Sequence, residues 1–286
     1  MPQRKYVLIL SCQDRPGIVA AVSSHLFQSE ANILESSQYG DPDQKRFFMR
    51  ITFAVPADRD TVALKTGLDA LCQQYAMAIR LVPVDDRPKI LILVSKFDHC
   101  LVDLLYRVRI GELDMDVVAI ISNHPREAFD QSDLRDIPFH HLPVTAATRP
   151  AQEALIARLF RETGAELVVL ARYMQILSDD LAATFAGRCI NIHHSFLPGF
   201  KGAKPYHQAH ERGVKLIGAT AHYVTGDLDE GPIIEQDAER ISHADSPDCL
   251  VAKGRDIERR VLSRAVALHL SGRVLLNGTR TVVFRD

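Results

Sequence analysis

Residues 189–202 read Cys-Ile-Asn-Ile-His-His-Ser-Phe-Leu-Pro-Gly-Phe-Lys-Gly, an apolar run that ends in polar side chains and a Pro-Gly turn. The pattern predicts a short buried strand over Arg188–His193. Because residues two apart on a strand point to the same face, Asn191 and His193 can reach one reacting carbon. The stretch therefore predicts a pair of polar side chains acting together at the end of a strand.

The chain on either side of this strand alternates between short apolar runs and helical patterns. Strands are predicted at Lys89–Ser95, Val117–Ser122, Phe139–Leu142 and Leu167–Ala171, and helices at His99–Arg109, Arg126–Asp133, Arg149–Glu162 and Ser178–Phe185. An extended pair from Gly218 and a helix near Ser246–Leu270 follow. Alternating βα units predict an α/β domain with a doubly wound, mostly parallel sheet, here over residues 89–286. Ligands bind beyond the carboxyl ends of such strands, where Asn191 and His193 lie.

A different pattern precedes residue 84. Strands at Tyr6–Cys12, Ile33–Tyr39, Arg46–Val55 and Ala78–Val82, with helices at Gly17–Gln28 and Thr61–Tyr75, give a ferredoxin-like βαββαβ order over residues 1–83. Residues 84–88 follow, with two acidic residues lying between Pro83 and Pro88. This composition is typical of a linker. The sequence therefore predicts two domains.

The composition excludes several classes of protein. Lys and Arg are scattered and the net charge is −2, so we expect no nucleic-acid partner. No apolar run approaches the ~18 residues of a membrane-spanning helix, so we expect no membrane association. Five cysteines form no CxxC pair, and the first residues lack a signal pattern, which favours the cytoplasm.

Asn191, His193 and Asp229 are the residue types that cleavage of an amide requires. The tetrahedral carbon carries an oxyanion, and an Asn amide aimed at it typically contributes ~3 kcal/mol. A histidine can deprotonate water or, when protonated, stabilise that oxyanion. A nearby Asp229 would hold the tautomer of His193, and we expect burial to raise the pKa of its carboxyl, so that it passes a proton to the leaving amine. His194 should point to the opposite face.

Two extended stretches resemble the formyltetrahydrofolate-dependent formyltransferase family. They are residues 189–202 and the run Ala221-His222-Tyr223-Val224-Thr225-Gly226-Asp227-Leu228-Asp229-Glu230-Gly231-Pro232. The resemblance implies that Asn191, His193 and Asp229 are catalytic, and that His222, Val224 and Thr225 contact the substrate. From its surroundings alone, His222 is equally typical of a core histidine. The His-His-Ser-Phe-Leu-Pro variant is similar to the deformylase branch of the superfamily.

A third stretch, Leu167-Val168-Val169-Leu170-Ala171-Arg172-Tyr173-Met174-Gln175-Ile176-Leu177, resembles the folate pocket of the same family. The resemblance implies that backbone groups of the turn at Met174, Ile176 and Leu177 hydrogen-bond the pterin. Gln175 departs from the family's usual Arg, so no ionic contact is expected there.

Asp14-Arg15-Pro16-Gly17-Ile18-Val19, at the first strand-to-helix turn, resembles the ACT domain, a module that senses small molecules. Gly17 permits a tight turn, and Pro16 suits the first turn of a helix. The resemblance implies an amino-acid effector at Asp14, Gly17, Ile18 and Asn32, and pairing of chains into a homodimer or homotetramer. One-carbon metabolism, including purine biosynthesis, suggests glycine or methionine as that effector.

The turn after the first strand of the second domain indicates which kind of molecule accepts the formyl group. A phosphorylated amine would need a Gly-rich cradle there, whereas residues 94–100 contain no glycine and include Phe97 and Asp98. The resemblance then implies hydrolysis of the substrate, 10-formyltetrahydrofolate, to tetrahydrofolate and formate, without a bound cofactor. Two alternatives remain, namely transfer to an unphosphorylated amine and a catalytically idle amino-acid sensor. An idle sensor should have lost a catalytic residue.

We expect no metal at the catalytic site. The set of one amide, one imidazole and one carboxylate is complete for attack by water on an activated formyl amide. A zinc site would need three protein ligands, and His194 is expected to point away.

Overall fold

A computed structural model describes residues 2–58, 61–197 and 205–285, and the chain forms two compact units. The first unit contains Met1–Asp86, Ser271–Asn277 and Val282–Asp286. The second contains Arg87–Leu270 and Gly278–Thr281. Within the described ranges, no helix is both long enough and apolar enough to cross a membrane.

The first unit has the βαββαβ order that the sequence predicts. Its elements are β1 (Gln3–Gln13), α1 (Ile18–Gln28), β2 (Asn32–Asp41), β3 (Arg46–Pro56), α2 (Thr61–Tyr75) and β4 (Ala78–Pro83). The strands form an antiparallel sheet in the order β2-β3-β1-β4. Alternate residues of β1 and β3, among them Leu8, Leu10, Ile51 and Phe53, pack against Val22, Leu26, Leu64 and Leu68 of the helices. The ferredoxin-like arrangement is thereby confirmed.

The end of the chain returns to this first unit, which the sequence did not indicate. Strands β12 (Val274–Asn277) and β13 (Arg280–Val283) form a hairpin. Leu275 and Phe284 pack against Val7, Ile9 and Phe48, on the face of the sheet that the helices leave uncovered. The Asn277 amide donates to Asp41 Oδ2 at 2.6 Å. The last residues therefore complete a second apolar layer of the first unit, although the sequence prediction gave them to the domain of residues 89–286.

We expect Leu275→Ala to destabilise the first unit by about 2–4 kcal/mol, because it leaves a cavity in this apolar layer. Leu275 is 6% exposed, whereas its neighbour Leu276 is 43% exposed. Leu276→Ala is therefore the matched control and should change the free energy of unfolding by less than about 0.5 kcal/mol. Urea unfolding, followed by circular dichroism, measures both. Equal effects of the two substitutions would contradict the packing described here.

The second unit is built on a seven-stranded sheet in the order β11-β10-β9-β8-β5-β6-β7. Its strands are β5 (Lys89–Val94), β6 (Asp116–Ser122), β7 (Phe139–His141), β8 (Leu167–Leu170), β9 (Cys189–His193), β10 (Leu216–Tyr223) and β11 (Ile233–Arg240). Strands β5 to β9 pair in parallel, and β10 and β11 are antiparallel additions. The predicted mostly parallel sheet is confirmed.

Helices cover both faces of this sheet. They are α3 (His99–Arg109), α4 (Arg149–Thr163), α5 (Asp179–Thr184), α6 (Pro205–Glu211) and α7 (Pro247–Leu270). One face buries Ile156, Phe160, Leu181 and Phe185 of α4 and α5 against β5 and β8. Helices α3 and α7 pack together, and α7 also contacts β9 and β10. Because β9, β8 and β5 are neighbouring parallel strands, their carboxyl ends lie side by side at one edge of the sheet.

One predicted helix of the second unit is wrong. The sequence predicted a helix over Arg126–Asp133, but only Arg126–Phe129 is helical, as a single 3₁₀ turn. Pro125 fixes the start of the turn, and only Phe129 is buried. With one apolar anchor, the segment lacks the buried stripe that stabilises a longer helix.

Candidate active site

Asn191 and His193 lie at the carboxyl end of β9, and β10 places His222 directly opposite Asn191. Nδ1 of His222 lies 2.9 Å from the carbonyl oxygen of Tyr223, so it must carry the proton and donate. Nε2 of neutral His222 is then an acceptor, and Asn191 Nδ2 lies 3.3 Å from it. His222 is buried, and it orients the Asn191 amide. His222 is therefore a core histidine that also contacts a predicted site residue.

Both ring nitrogens of His193 have partners. Nδ1 lies 3.2 Å from Asp229 Oδ1, and Nε2 lies 2.9 Å from Ser195 Oγ. Asp229 also has His222 Nε2 at 3.8 Å, so the carboxylate sits between two imidazoles. The structure thus brings Asp229 to Asn191 and His193, from which it is distant in the sequence.

The environment of Asp229 corrects one expectation. Burial was expected to raise the pKa of its carboxyl, but the hydrogen bond from His193, followed by the influence of the nearby His222 imidazole, holds the pKa well below its usual range. Burial acts in the opposite direction and is outweighed. Asp229 therefore stays a carboxylate near neutrality and accepts hydrogen bonds, and it does not act as the proton shuttle that the sequence suggested.

The loop that carries Asp229 is tightly constrained. Asp229 has a positive φ of 58°, and a Cβ placed on Gly231 would lie 1.7 Å from the carbonyl oxygen of Tyr223. The register of β10 with β11 shifts between Ala221 and His222. Only glycine permits this close approach of two backbone segments, and the approach directs Asp229 towards His193.

His194 differs from its prediction. Strand β9 ends at His193, so strand alternation does not extend to His194, and the two imidazole rings lie 5.3 Å apart. Burial, together with the charge of Arg172, lowers the pKa of His194 to about 4. His194 is therefore a neutral imidazole beside the catalytic pair.

Ser195 is the residue that the sequence reasoning missed. It is buried, and its hydroxyl faces His193 Nε2. The available signal was its place in the motif, two residues after His193. The rest of the motif, residues 198–202, lies outside the described residues.

The predicted folate-binding residues lie beside this site, at the end of β8. Met174 and Ile176 are 52% and 53% exposed, which offers an apolar surface to a flat ring. Leu177 and Val224 pack at the border of the core beneath them. The Met174 amide donates to Ser95 Oγ at 2.9 Å, so a ligand would compete with Ser95 for this donor. The hydroxyl of Thr225 donates to the Asp227 carbonyl at 3.2 Å.

A buried charge cluster lies beneath the same edge. Glu258 accepts hydrogen bonds from Tyr206 Oη at 2.6 Å and His99 Nε2 at 2.8 Å, and Arg172 Nε lies 3.2 Å away. Burial acts to raise the pKa of Glu258, but its bond from His99 and the charge of Arg172 lower it overall. Arg172 has a φ of 65°, a conformation that the tight turn after β8 requires.

His99, Cys100 and Glu258 bring ligand atoms within 4.8 Å of one another, but they do not fit a metal ion. Burial raises the pKa of the Cys100 thiol well above its usual range, so the thiolate that a metal needs is disfavoured. The Glu258 carboxylate already neutralises Arg172. The cluster is therefore better described as an internal salt bridge.

The residues of the predicted effector site lie in the first unit. Gly17 has a φ of 94° and begins α1, and Asp14 and Asn32 are exposed. Ile18 is only 2% exposed, and its side chain packs in the core. A cavity of about 140 Å³ lies near the other end of α1, lined by Gln28, Ser29, Glu30, Val55, Thr61, Ala63 and Leu64.

The fold and site define a catalytic unit of the formyl transferase class, and residues 88–266 match the family described as Formyl transferase. A glycinamide ribonucleotide transformylase 1 from Symbiobacterium toebii is 31% identical, with a TM-score of 0.65, over 70% of this chain and 95% of its own. The chain therefore belongs to the formyl transferase family.

Full-length similarity supports this assignment. Formyltetrahydrofolate deformylase of Corynebacterium sp. is 50% identical over 99% of each chain. The enzyme of that name from Bacillus subtilis is 46% identical over 97% of this chain and 93% of its own. The crystal structure of the Burkholderia mallei deformylase superposes with a TM-score of 0.94 at 51% identity, over 99% of this chain and 100% of that one. The chain belongs to the formyltetrahydrofolate deformylase family.

We expect His194→Gln to flatten the acid side of the stability profile. Protonation of His194 favours the unfolded chain, because the folded pKa is about 4 and the ordinary value is 6.5. As the pH falls from 6.5 to 4, the wild-type protein should lose on the order of 3 kcal/mol through this group. Urea unfolding at the two pH values measures the loss. His243→Gln, at an exposed position, should keep the wild-type loss. An unchanged loss in His194→Gln would contradict the assignment.

Proposed function

We propose that Asn191, His193 and Asp229 carry out the hydrolysis of 10-formyltetrahydrofolate to tetrahydrofolate and formate, with water attacking the formyl carbon. The observation that carries the proposal is the contact of His193 Nδ1 with Asp229 at 3.2 Å, beside the Asn191 amide. These are a base, its orienting carboxylate and an oxyanion donor at the carboxyl edge of one sheet. Full-length relatives at 40–50% identity are named for this activity.

His193 is the proton carrier in this mechanism. With Nδ1–H directed at the Asp229 carboxylate, Nε2 carries the lone pair that receives a proton from the attacking water. Asp229 stabilises the imidazolium that forms. Because Asp229 remains ionised, the same imidazolium then protonates the leaving amine.

Asn191 supplies the oxyanion donor. Its amide nitrogen carries two hydrogens, so one can remain directed at His222 Nε2 while the other meets the oxygen of the tetrahedral intermediate. His222 is itself held by the Tyr223 carbonyl. A donor held in place before the reaction costs no reorganisation when the oxyanion forms.

The turn after β5 favours water as the acceptor over a phosphorylated amine. Ser95 is buried, and its hydroxyl donates to Asn123 Oδ1 at 2.7 Å and accepts from the Met174 amide. Asp98 stands at the start of α3 and accepts a hydrogen bond from Ser132. A carboxylate at this helix N-terminus repels a phosphate from the place that would otherwise attract one.

We expect His193→Ala and Asp229→Asn to lower kcat by at least ~100-fold without unfolding the protein, because both act on protons in the transition state. Release of tetrahydrofolate and formate from 10-formyltetrahydrofolate, with no amine added, is the measurement. Asp227→Asn, at an exposed position of the same loop, is the matched control and should stay near wild type. Near-wild-type turnover in either catalytic variant would exclude this mechanism. Product formation only after an amine is added would favour the transferase alternative.

We also propose that the first unit binds an amino acid, glycine or methionine, where two copies of the chain meet. Strand β2 is an edge of its sheet and begins at Asn32. Phe27, Ile33 and Leu34, on and beside this edge, are exposed apolar side chains. An exposed apolar edge of this kind favours pairing with another chain. Effector binding can alter activity only if it favours one quaternary state over another.

Gly17→Val should abolish the amino-acid response while leaving the basal turnover unchanged. The substitution strains the backbone, since φ is 94°, and meets no close contact, because its Cβ lies 3.6 Å from Tyr75 Oη. Gly111→Val introduces similar strain in the second unit, at φ 78°, and should keep the response. Calorimetry and activity assays with each amino acid measure the effect. Deleting residues 1–86 is less informative, because it would uncover Leu275 and Phe284. A monomeric wild-type protein with no amino-acid binding would contradict this regulation.

A further inference from the structure

The Ser195 hydroxyl contacts Nε2 of His193, the nitrogen that accepts a proton in the proposed mechanism. Its hydroxyl oxygen lies 2.9 Å from His193 Nε2, while Nδ1 faces Asp229. Because Nδ1 carries the proton of neutral His193, Nε2 is the acceptor and the Ser195 hydroxyl donates to it. A water molecule could contact Nε2 directly only by displacing Ser195.

Ser195 is held in place by a buried network. Its carbonyl oxygen accepts a hydrogen bond from Thr220 Oγ1 at 3.0 Å. The same Thr220 oxygen accepts from the Leu197 amide at 3.1 Å and from Gln236 Nε2 at 2.9 Å. Thr220 is in turn the β10 partner of His193. Moving the Ser195 backbone away from His193 would break these interior hydrogen bonds, which is costly.

We propose that the Ser195 hydroxyl relays the proton from the attacking water to His193, an inference that rests on the proposed function. In this step the water oxygen forms a bond to the formyl carbon and gives one proton to Ser195 Oγ. Ser195 simultaneously gives its own proton to His193 Nε2. The carbonyl π electrons move to the oxyanion facing Asn191. Ser195 is unchanged at the end, and His193 has become the imidazolium that protonates the leaving amine.

The Ser–His–Asp arrangement also resembles that of enzymes in which the serine itself attacks the carbonyl. Burial favours the relay, since Ser195 is only 5% exposed and His193 covers one side of its oxygen. In the relay the Ser195 hydroxyl only exchanges protons and forms no bond to carbon. A formyl carbon attached to the bulky folate amine must instead come within about 3–3.5 Å for attack.

Three variants and two measurements test the relay. Ser195→Ala removes the hydroxyl, and Ser195→Thr retains it. Ser263→Ala is the matched control, because Ser263 is a buried serine whose hydroxyl donates to the Arg260 carbonyl within α7. We expect Ser195→Ala to lower the single-turnover rate by about 100-fold with KM within about threefold of wild type. Ser195→Thr should recover at least a tenth of the wild-type rate, and Ser263→Ala should match wild type.

Single-turnover rates in mixtures of H₂O and D₂O provide the readout that a merely structural serine would not alter. A relay moves two protons in one step, so the wild-type rate should depend on the deuterium fraction along a curve. Ser195→Ala should give a straight line, because one proton then passes from water to His193. A straight line for wild type, or a Ser195→Ala rate within threefold of wild type, would overturn the relay.

Acid-quenched reactions, examined by peptide mass spectrometry, address the serine nucleophile. A formyl ester on Ser195, or a burst of tetrahydrofolate ahead of formate, would overturn the relay in favour of covalent catalysis. Failure of the relay and failure of the proposed function remain distinguishable. If His193→Ala is inactive and Ser195→Ala is fully active, only the relay fails, whereas hydrolysis that persists in His193→Ala removes the proposed function itself.

Discussion

The contact between the Asp229 carboxylate and the His193 imidazole is the interaction on which the site depends. It joins the end of β9 to the loop that follows β10, across a backbone approach that only Gly231 allows. The carboxylate is ionised chiefly because His193 hydrogen-bonds it, and it fixes which nitrogen of His193 carries the proton. His222 and Ser195 contact these two residues, and Asn191 is held by its contact with His222.

A second constraint is the charge buried beneath the site. Burying the charges of Glu258 and Arg172 costs free energy. This cost is offset by the ion pair between them and by hydrogen bonds from His99 and Tyr206 to the carboxylate. Burial, followed by the charge of Arg172, keeps His194 neutral beside His193. A neutral neighbour leaves the His193 imidazole without a second positive charge beside it, which suits its proposed role as a proton carrier.

The first unit illustrates how distant segments complete a small core. A four-stranded sheet with helices on one face leaves its other face exposed, and the last strands of the chain cover that face with Leu275 and Phe284. The buried Arg50 belongs to the same region, donating to Glu35 at 2.9 Å and to the Ser271 carbonyl at 3.1 Å. The unit therefore depends on residues that lie far from it along the chain.

The local patterns of the sequence determined most of the secondary structure, both fold types and the edge of the sheet where the site lies. They succeed because strand alternation, helix periodicity and βα order are short-range properties. They failed over Arg126–Asp133, where a single buried anchor does not sustain a helix, and at His194, where the strand ends one residue earlier. The approach of Ser195 to His193, the low pKa of Asp229 and the return of residues 271–277 were decided only by the tertiary structure. Each arises from groups distant in sequence that meet in a desolvated environment, and the strength of such contacts depends on distances and burial that no local pattern encodes.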